Sequence, residues 1–223
     1  MTDIAGRIWG GVRIQISREA AKRALDIAIV LIAIIVLGPL LLLLCGLVRC
    51  TSSGPALFRQ QRIGRDKRPF TMLKLRTMRV GNDDKIHRDY VTKLLCDDQP
   101  PVGGRSGLFK LDGDPRVTRL GSWLRRTSLD ELPQLLNVLT GQMSLVGPRP
   151  VLPWEALLLR DKHQQRFGVK PGMTGLWQIR GRNRLSMREG FDLDIEYVRT
   201  RSLALDIRIL CSTLPALFRG DAR

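Results

Sequence analysis

Two adjacent carboxylates, Asp130 and Glu131, are the residues best suited to chemistry, because several arginines lie just before them in the chain. A carboxylate can attack phosphorus to form an acyl phosphate. A neighbouring glutamate can hold Mg²⁺, which binds carboxylates and phosphate oxygens together. Arginines and the amides at a helix start could then hold the phosphates. The pair therefore fits the transfer of a phosphorylated group.

The same stretch also has a purely structural interpretation. Ser128 and Glu131 have the spacing of a capping box, and acids in a first helical turn are favoured by the helix dipole. If Ser128 were the N-cap, Pro133 would be the fifth helical residue and would break a hydrogen bond. If Asp130 were the N-cap, Pro133 would lie in the first turn without cost. Local chemistry favours capping, but spacing alone does not decide between capping and catalysis.

Two predicted amphipathic helices flank the carboxylate pair. The one before it carries Leu120, Trp123 and Leu124 on one face. The one after it is expected to end at Gly141, and a short extended segment and a rigid Gly-Pro-Arg-Pro loop follow at 143–150. Its apolar face consists of leucines at i, i+3, i+4 and i+7: Leu132, Leu135, Leu136 and Leu139.

Upstream of these helices, Ala56–Phe58 and Phe70–Leu75 are predicted strands joined by a basic turn at 64–68. A helix is predicted over about 84–95 and a mobile loop over 97–104. Near the C-terminus, the apolar spacing of Leu203–Phe218 predicts a helix on a membrane surface.

An apolar run from Ile27 to Val48 contains no charged side chain. As a helix it would be about 33 Å long, enough to cross the roughly 30 Å hydrocarbon core of a bilayer. Gly38 and Pro39 divide it, and proline predicts a kink. Basic residues lie on both sides, so the positive-inside rule places both flanks in the cytoplasm. From these residues alone, a kinked spanning helix and a re-entrant helix that bends at Gly38 and Pro39 both remain open.

Composition narrows the function classes. The 223 residues include 37 Lys and Arg against 21 Asp and Glu, a net charge of +16, which suits nucleic acid, an anionic membrane or a phosphorylated substrate. Aromatic residues make up only 5% of the chain, which disfavours nucleic acid as a partner. The four cysteines have no C-x-x-C spacing, so a disulfide scaffold is excluded and reduced thiols are expected.

Taken together, the motifs closely resemble those of the bacterial sugar transferases, the monotopic phosphoglycosyl transferases. The resemblance extends over roughly residues 20–218, and many motifs in one order make it specific. The matching segments are Lys22-Arg23 before the run broken at Pro39, Leu57–Arg62, Lys74–Met78, Asp114–Gly121, Leu124–Gln134, Met143–Pro150, Lys170–Gln178, Gly181–Asn183 and Asp194–Val198.

The resemblance implies transfer of a hexose-1-phosphate from a UDP-sugar to undecaprenyl phosphate, with release of UMP, at the first membrane step of exopolysaccharide, capsule or O-antigen synthesis. By analogy, Asp130 is the nucleophile that forms an aspartyl-phosphosugar, and Glu131 helps bind Mg²⁺. Arg125 would hold a substrate phosphate. Arg149, Arg182 and Asn183 would lie near the nucleotide or the rest of the substrate.

The fold implied is helix-rich α+β, a monotopic membrane protein with a small sheet and amphipathic surface helices. Residues 1–20 would form a basic amphipathic lead, 21–50 a re-entrant helix kinked at Gly38 and Pro39, and 51–223 a catalytic domain facing the cytoplasm at the bacterial inner membrane. The family often has Ser-Pro at the bend, where this chain has Gly38-Pro39. Membrane lipids are expected partners, together with a homodimer and no nucleic acid.

Two alternatives remain beside this hypothesis. A basic, membrane-anchored protein that binds anionic lipid or nucleic acid without catalysis would tolerate changes at Asp130 and Glu131. A one-step transferase, in which the two carboxylates only position Mg²⁺, would form no covalent adduct. The sequence does not name the sugar or the polysaccharide pathway.

Overall fold

The computed structural model describes residues 2–79, 88, 92, 114, 116–180 and 185–218, with the backbone alone for 2–17 and 214–218. Apart from residues 88 and 92, the helix predicted over 84–95 lies outside the described residues, as does the loop predicted over 97–104.

One helix, α1 (Thr2–Thr51), contains both the predicted lead and the apolar run, with Pro39 inside it. Among the described helices, α1 is the one long and apolar enough to cross a membrane. The most apolar stretch of α1 is only 11% buried within the protein. Large apolar side chains such as Ile32, Ile35 and Leu42 are exposed there, so this surface needs lipid or another apolar cover.

The N-terminal part of α1 is attached to the rest of the protein by polar contacts within little more than one turn. Lys22 Nζ donates to Asp206 Oδ2 over 2.7 Å. Arg23 donates to the carbonyls of Val138 (2.6 Å) and Leu139 (2.7 Å). Basic groups are favourable at these carbonyls because they lie at a helix C-terminus.

Asp26, one turn further along α1, is buried and accepts hydrogen bonds from Ser144 Oγ (2.8 Å) and the Leu145 amide (3.2 Å). Towards the other end of α1, Leu44 and Val48 are buried in one apolar cluster with Leu75 and Leu124. Both ends of the apolar run therefore pack against the same globular domain.

A two-stranded antiparallel hairpin, β1 (Leu57–Ile63) and β2 (Pro69–Leu75), follows α1. It confirms the predicted strands and basic turn, although β1 is longer than expected. The register places Phe58 opposite Lys74 and Arg62 opposite Phe70. Because side chains alternate along a strand, Arg62 and Lys74 belong to the same face of the hairpin.

The carboxylate pair lies between α2 (Arg119–Arg126) and α3 (Gln134–Leu139), within a 3₁₀ turn at Leu129–Glu131. Both capping interpretations are wrong. Ser128 has φ 56°, in the left-handed region, and its side chain makes no capping bond, while Pro133 rather than Asp130 precedes α3. Gly141 follows α3 with φ +83°, as expected of a glycine at a helix end.

A short parallel pair, β3 (Ser144–Val146) and β4 (Gly172–Thr174), forms the second sheet. The predicted class, helix-rich α+β with small sheets and a long apolar N-terminal helix, is confirmed. The remaining described elements are α4 (Pro153–Leu157), a 3₁₀ helix at Asp161–Gly168, α5 (Leu176–Arg180), α6 (Met187–Thr200) and α7 (Leu203–Phe218).

Gly121 determines how closely α2 approaches the end of the hairpin. A Cβ at this position would lie 2.1 Å from the Thr77 carbonyl oxygen. That carbonyl also accepts a hydrogen bond from the Thr118 amide (3.0 Å), so the backbone cannot move away freely.

We therefore expect Gly121→Ala to lower the free energy of unfolding by about 1–3 kcal/mol, as in other overpacked sites. The matched control is Gly190→Ala, another buried helical glycine, whose added Cβ meets nothing within 4 Å. Thermal unfolding in detergent measures both variants. Equal melting temperatures for them would contradict this role of Gly121.

Candidate active site

Asp130 is a buried carboxylate, with 6% of the residue exposed. The 3₁₀ turn presents it between the end of α2 and the start of α3. Because an ionised carboxylate is rarely buried without polar or charged partners, this position predicts cationic neighbours. The structure provides Arg125 of α2 on one side, and on the hairpin side it places Lys74 against the adjacent Glu131.

Arg125, in the last turn of α2, is the neighbour on one side. Its Nε donates to Thr77 Oγ1 over 2.9 Å, which orients the guanidinium. Burial lowers the pKa of Arg125, while the Asp130 and Asp114 carboxylates act in the opposite direction. Arg125 therefore lies within electrostatic range of Asp130, as a phosphate-holding residue would.

Lys74 is the neighbour on the hairpin side. Its Nζ lies 3.0 Å from Glu131 Oε1, and both side chains remain partly exposed. Glu131 is thus a solvent-accessible carboxylate next to the buried Asp130. The two acids differ in environment although they are adjacent in sequence, because the 3₁₀ turn directs them differently.

A second group of charges adjoins the first through Arg62. Arg62 is buried and donates to Gln60 Oε1 (2.7 Å) and the Pro150 carbonyl (3.2 Å), and it lies 3.6 Å from Glu155. Burial and, to a smaller extent, the charge of Arg149 lower the pKa of Arg62, and Glu155 and Glu131 act in the opposite direction; the net result is a pKa of about 10. Arg62 is therefore close to both Glu131 and the Arg149 region.

Arg149 lies 3.8 Å from the fully buried Glu155. Its loop is pressed against the 170–175 segment, since a Cβ on Gly147 would lie 2.5 Å from the Lys170 carbonyl. Arg149 also lines a small pocket together with Trp177 and Asp194. The predicted site residues Arg125, Asp130, Glu131 and Arg149 thus lie in two adjoining charge groups.

Behind the pocket, Arg166 and Asp194 form a buried ion pair with a 2.7 Å contact. Arg166 also donates to the Arg149 carbonyl over 2.6 Å, so the pair supports the Arg149 loop. Burial raises the pKa of Asp194 to about 6, although Arg166 favours its ionised form. The 2.7 Å contact with Arg166 thus opposes the effect of burial on the Asp194 carboxylate.

The motifs Leu57–Arg62 and Lys74–Met78 were part of the family resemblance, but no role was predicted for Arg62 or Lys74. The sequence alone could not show that Arg62 and Lys74 share a face, because that requires the register of the hairpin. Glu155 and Arg166 carried no sequence signal. Arg182 and Asn183 lie outside the described residues, and within the described part no group of three or more His, Cys, Asp or Glu side chains could hold a metal.

The buried Arg166–Asp194 pair gives a stability prediction. Asp194→Asn leaves Arg166 buried without its counter-charge, so we expect the free energy of unfolding to fall by about 3–5 kcal/mol. The double change Arg166→Met with Asp194→Leu should recover most of that loss, because no buried charge remains.

Chemical denaturation of the three variants in detergent measures these differences. Asp192→Asn is the control, since Asp192 is on the same helix but half exposed. A double variant that is no more stable than Asp194→Asn would show that the pair is not the source of the loss.

Comparisons with known proteins identify the family of this chain. A family model described as "Bacterial sugar transferase" matches residues 17–220. The exopolysaccharide production protein ExoY of Sinorhizobium fredii is 41% identical over 203 residues, which cover 90% of this chain and 88% of that protein.

Two relatives carry more specific names. The undecaprenyl-phosphate galactose phosphotransferase of Salmonella typhimurium is 40% identical over 205 residues, covering 92% of this chain. The UDP-glucose:undecaprenyl-phosphate glucose-1-phosphate transferase of Caulobacter vibrioides is 38% identical over 222 residues, 95% of this chain and 75% of its own length. The chain spans only 42% of the Salmonella protein, less than half of that longer relative.

Proposed function

The chain belongs to the bacterial sugar transferase family, and we propose that it transfers a hexose-1-phosphate from a UDP-sugar to undecaprenyl phosphate, releasing UMP. It is thus an enzyme of the phosphoglycosyl transferase class, as its relatives' names indicate. The ExoY relatives support a role at an early membrane step in exopolysaccharide or capsule assembly. A homodimer stays a prediction, and the relatives' names include both galactose and glucose transferases.

The observation that carries this proposal is the environment of Asp130. A buried carboxylate lies beside a guanidinium that is already oriented by Thr77, and a more exposed carboxylate, Glu131, follows it in the chain. A diphosphate donor needs cations for its phosphates and a nucleophile within the same small region. The described charge groups supply both.

The proposed chemistry has two displacements at one phosphorus. In the first, an Asp130 oxygen bonds to the β-phosphorus of the UDP-sugar, the bond from that phosphorus to the bridging oxygen breaks, and UMP leaves with that oxygen. In the second, a phosphate oxygen of undecaprenyl phosphate bonds to the same phosphorus and Asp130 is released. Arg125 and Lys74 would offset the negative charge that develops on the phosphoryl oxygens.

Mg²⁺ is part of the proposal. The donor set fits this ion, which is commonly held by one or two carboxylates together with substrate phosphates. Glu131, partly exposed and adjacent to Asp130, would contribute one oxygen. Since Lys74 contacts that carboxylate, its ammonium would have to give way. Bound Mg²⁺ would supply charge neutralisation between the nucleophile and the diphosphate.

We further propose that α1 enters the membrane and returns at Gly38 and Pro39, with the domain on the cytoplasmic side. The contacts at both ends of α1 support this topology. Asp26 directly precedes the apolar run and Val48 is its last residue, and both are buried against the same domain. A spanning helix would place these two positions on opposite faces of the bilayer, where one domain could not contact both.

The proposed reaction predicts a covalent intermediate. Purified protein in nanodiscs, given Mg²⁺ and a panel of UDP-sugars without acceptor lipid, should gain the mass of one sugar phosphate and release one UMP. Asp130→Asn should lower both signals by at least roughly a thousandfold, because its amide is not a nucleophile. The exposed Asp161→Asn is the matched control.

Omitting Mg²⁺ should also suppress the adduct, and the sugar that labels the wild-type protein identifies the donor. UMP release that appears only with undecaprenyl phosphate, and without an adduct, would instead indicate a one-step transfer. Full turnover in Asp130→Asn would contradict the role of this carboxylate. Silence with every donor, with or without acceptor, would favour a non-catalytic lipid-binding protein.

The topology makes a separate prediction. With the other cysteines replaced by serine, native Cys50 and an introduced Ala21→Cys flank the apolar run, and both positions are exposed. A membrane-impermeant maleimide should label both in inside-out vesicles and neither in right-side-out vesicles. Labelling of one position from each side would instead indicate a helix that spans the membrane.

A further inference from the structure

Three basic residues lie together where α1 approaches its apolar run: Arg23, Arg65 and Lys170, here called the basic cluster. Gly141 shows how close two of them are. A Cβ built on Gly141 would lie 3.5 Å from Arg23 Nη2 and 3.5 Å from Lys170 Nζ, so the two nitrogens are within twice that distance of each other. The vacant Cβ position of Gly141 is therefore in van der Waals range of both nitrogens.

The two acids near the basic cluster have partners other than Lys170. Glu19 contacts Arg65 (3.2 Å) and Arg201 (3.7 Å). Asp26 accepts from Ser144 and the Leu145 amide. Lys170 makes no hydrogen bond or ion pair with any residue that the structure describes, although it is only partly exposed.

The electrostatics of Lys170 agree with this geometry. Burial lowers its pKa, and the charges of Arg23 and Arg65 lower it further, while Asp26 and Glu19 act in the opposite direction. Like charges held this close destabilise the folded protein. An anion between them would remove that repulsion and give the ammonium an acceptor.

The position of the basic cluster indicates which anion is available. Arg23 lies four residues before Ile27, where the apolar run of α1 begins. If α1 enters the membrane as proposed above, an assumption this inference depends on, the cluster lies at the depth of the lipid headgroups. Neither Asp130 nor Glu131 is among the groups that affect Lys170, so the cluster is separate from the carboxylate pair.

We propose that the basic cluster binds the phosphate of an anionic membrane lipid in the space beside Gly141. Lys170 Nζ and the Arg23 guanidinium would donate charge-assisted hydrogen bonds to its oxygens. Arg23 already donates to the carbonyls of Val138 and Leu139, so the bound phosphate would connect α1, the end of α3 and the Lys170 loop at the membrane surface. The site would therefore stabilise the docked position of α1.

The test compares the reactivity of two lysines in one sample. Lys22 is the internal control, because it lies next to Arg23 on α1 but is paired with Asp206. Wild-type protein is acetylated in nanodiscs of phosphatidylcholine, with or without 30% phosphatidylglycerol, and peptides are quantified by mass spectrometry. We expect the anionic lipid to slow acetylation of Lys170 by about fivefold or more and of Lys22 by less than about twofold.

Two further arms identify the source of the phosphate. Undecaprenyl phosphate at one molecule per protein in phosphatidylcholine nanodiscs would protect Lys170 if the acceptor lipid occupies the site. Inorganic phosphate in detergent would protect it if the headgroup alone suffices. Equal slowing of both lysines, or protection of Lys170 in none of the arms, would overturn the proposal.

Variants give a second, independent measurement. Lys170→Gln should weaken phosphatidylglycerol binding, counted by native mass spectrometry, by roughly tenfold, and Lys170→Arg should retain it. Lys162→Gln removes the same charge from an exposed lysine that is paired with Asp192, and it should have no effect. Unchanged lipid binding in Lys170→Gln would also contradict the proposal.

A separate assay distinguishes this inference from the proposed function. It measures the UMP that the Lys170→Gln variant releases from a UDP-sugar in detergent. Normal release with lost lipid binding supports the lipid site. Absence of release in the wild-type protein would count against the transferase reaction, whatever the acetylation result shows.

Discussion

The rest of the structure depends on how one polar turn of α1, formed by Lys22, Arg23 and Asp26, is attached to the domain. Asp26 is buried, and its carboxylate is satisfied by Ser144 and the Leu145 amide of β3. Removing a partner from a buried charge costs several kcal/mol, so this register of α1 is strongly preferred over a shifted one. An apolar helix that packed by leucines alone could slide by a turn at little cost, because its exposed and buried faces have similar side chains.

From that attachment the contacts continue through the domain. Lys22 holds Asp206, which accepts from the Tyr197 hydroxyl (2.7 Å), and Tyr197 also donates to the Val146 carbonyl (3.1 Å). These contacts connect α1 with α6, α7 and β3. The loop that follows β3 carries Arg149. The polar turn of α1 and the second charge group are thus linked through a few buried hydrogen bonds.

The use of charge differs between the regions of the molecule. In the site, cations and acids are paired closely, and Lys74 with Glu131 and Arg62 with Glu155 are examples. Near the start of the apolar run, cations exceed acids. A net charge of +16 is therefore not spread evenly over one solvated surface, and its local excess lies where a membrane surface would be. This agrees with an enzyme whose donor is soluble and whose acceptor is a lipid.

Much of this could be predicted from the sequence because it depends on local pattern. The hairpin, the helices on either side of Asp130, the glycine after α3 and the apolar run all follow from periodicity and turn residues. The motif order carried the family assignment. Local rules failed at Ser128 and Asp130, where they favoured capping; the backbone at Ser128 is left-handed and its side chain makes no capping hydrogen bond.

What the sequence by itself determined was therefore many of the elements, the family and the candidate carboxylate pair. Only the tertiary structure decided which charges meet. Lys22 and Arg23 count as flanking charges in the sequence, yet both contact the domain, because α1 packs along it. Lys74 contacts Glu131, which lies 57 positions further along the chain. Arg62 of β1 contacts Glu155 of α4. Such contacts depend on the packing of distant elements, which no local propensity encodes.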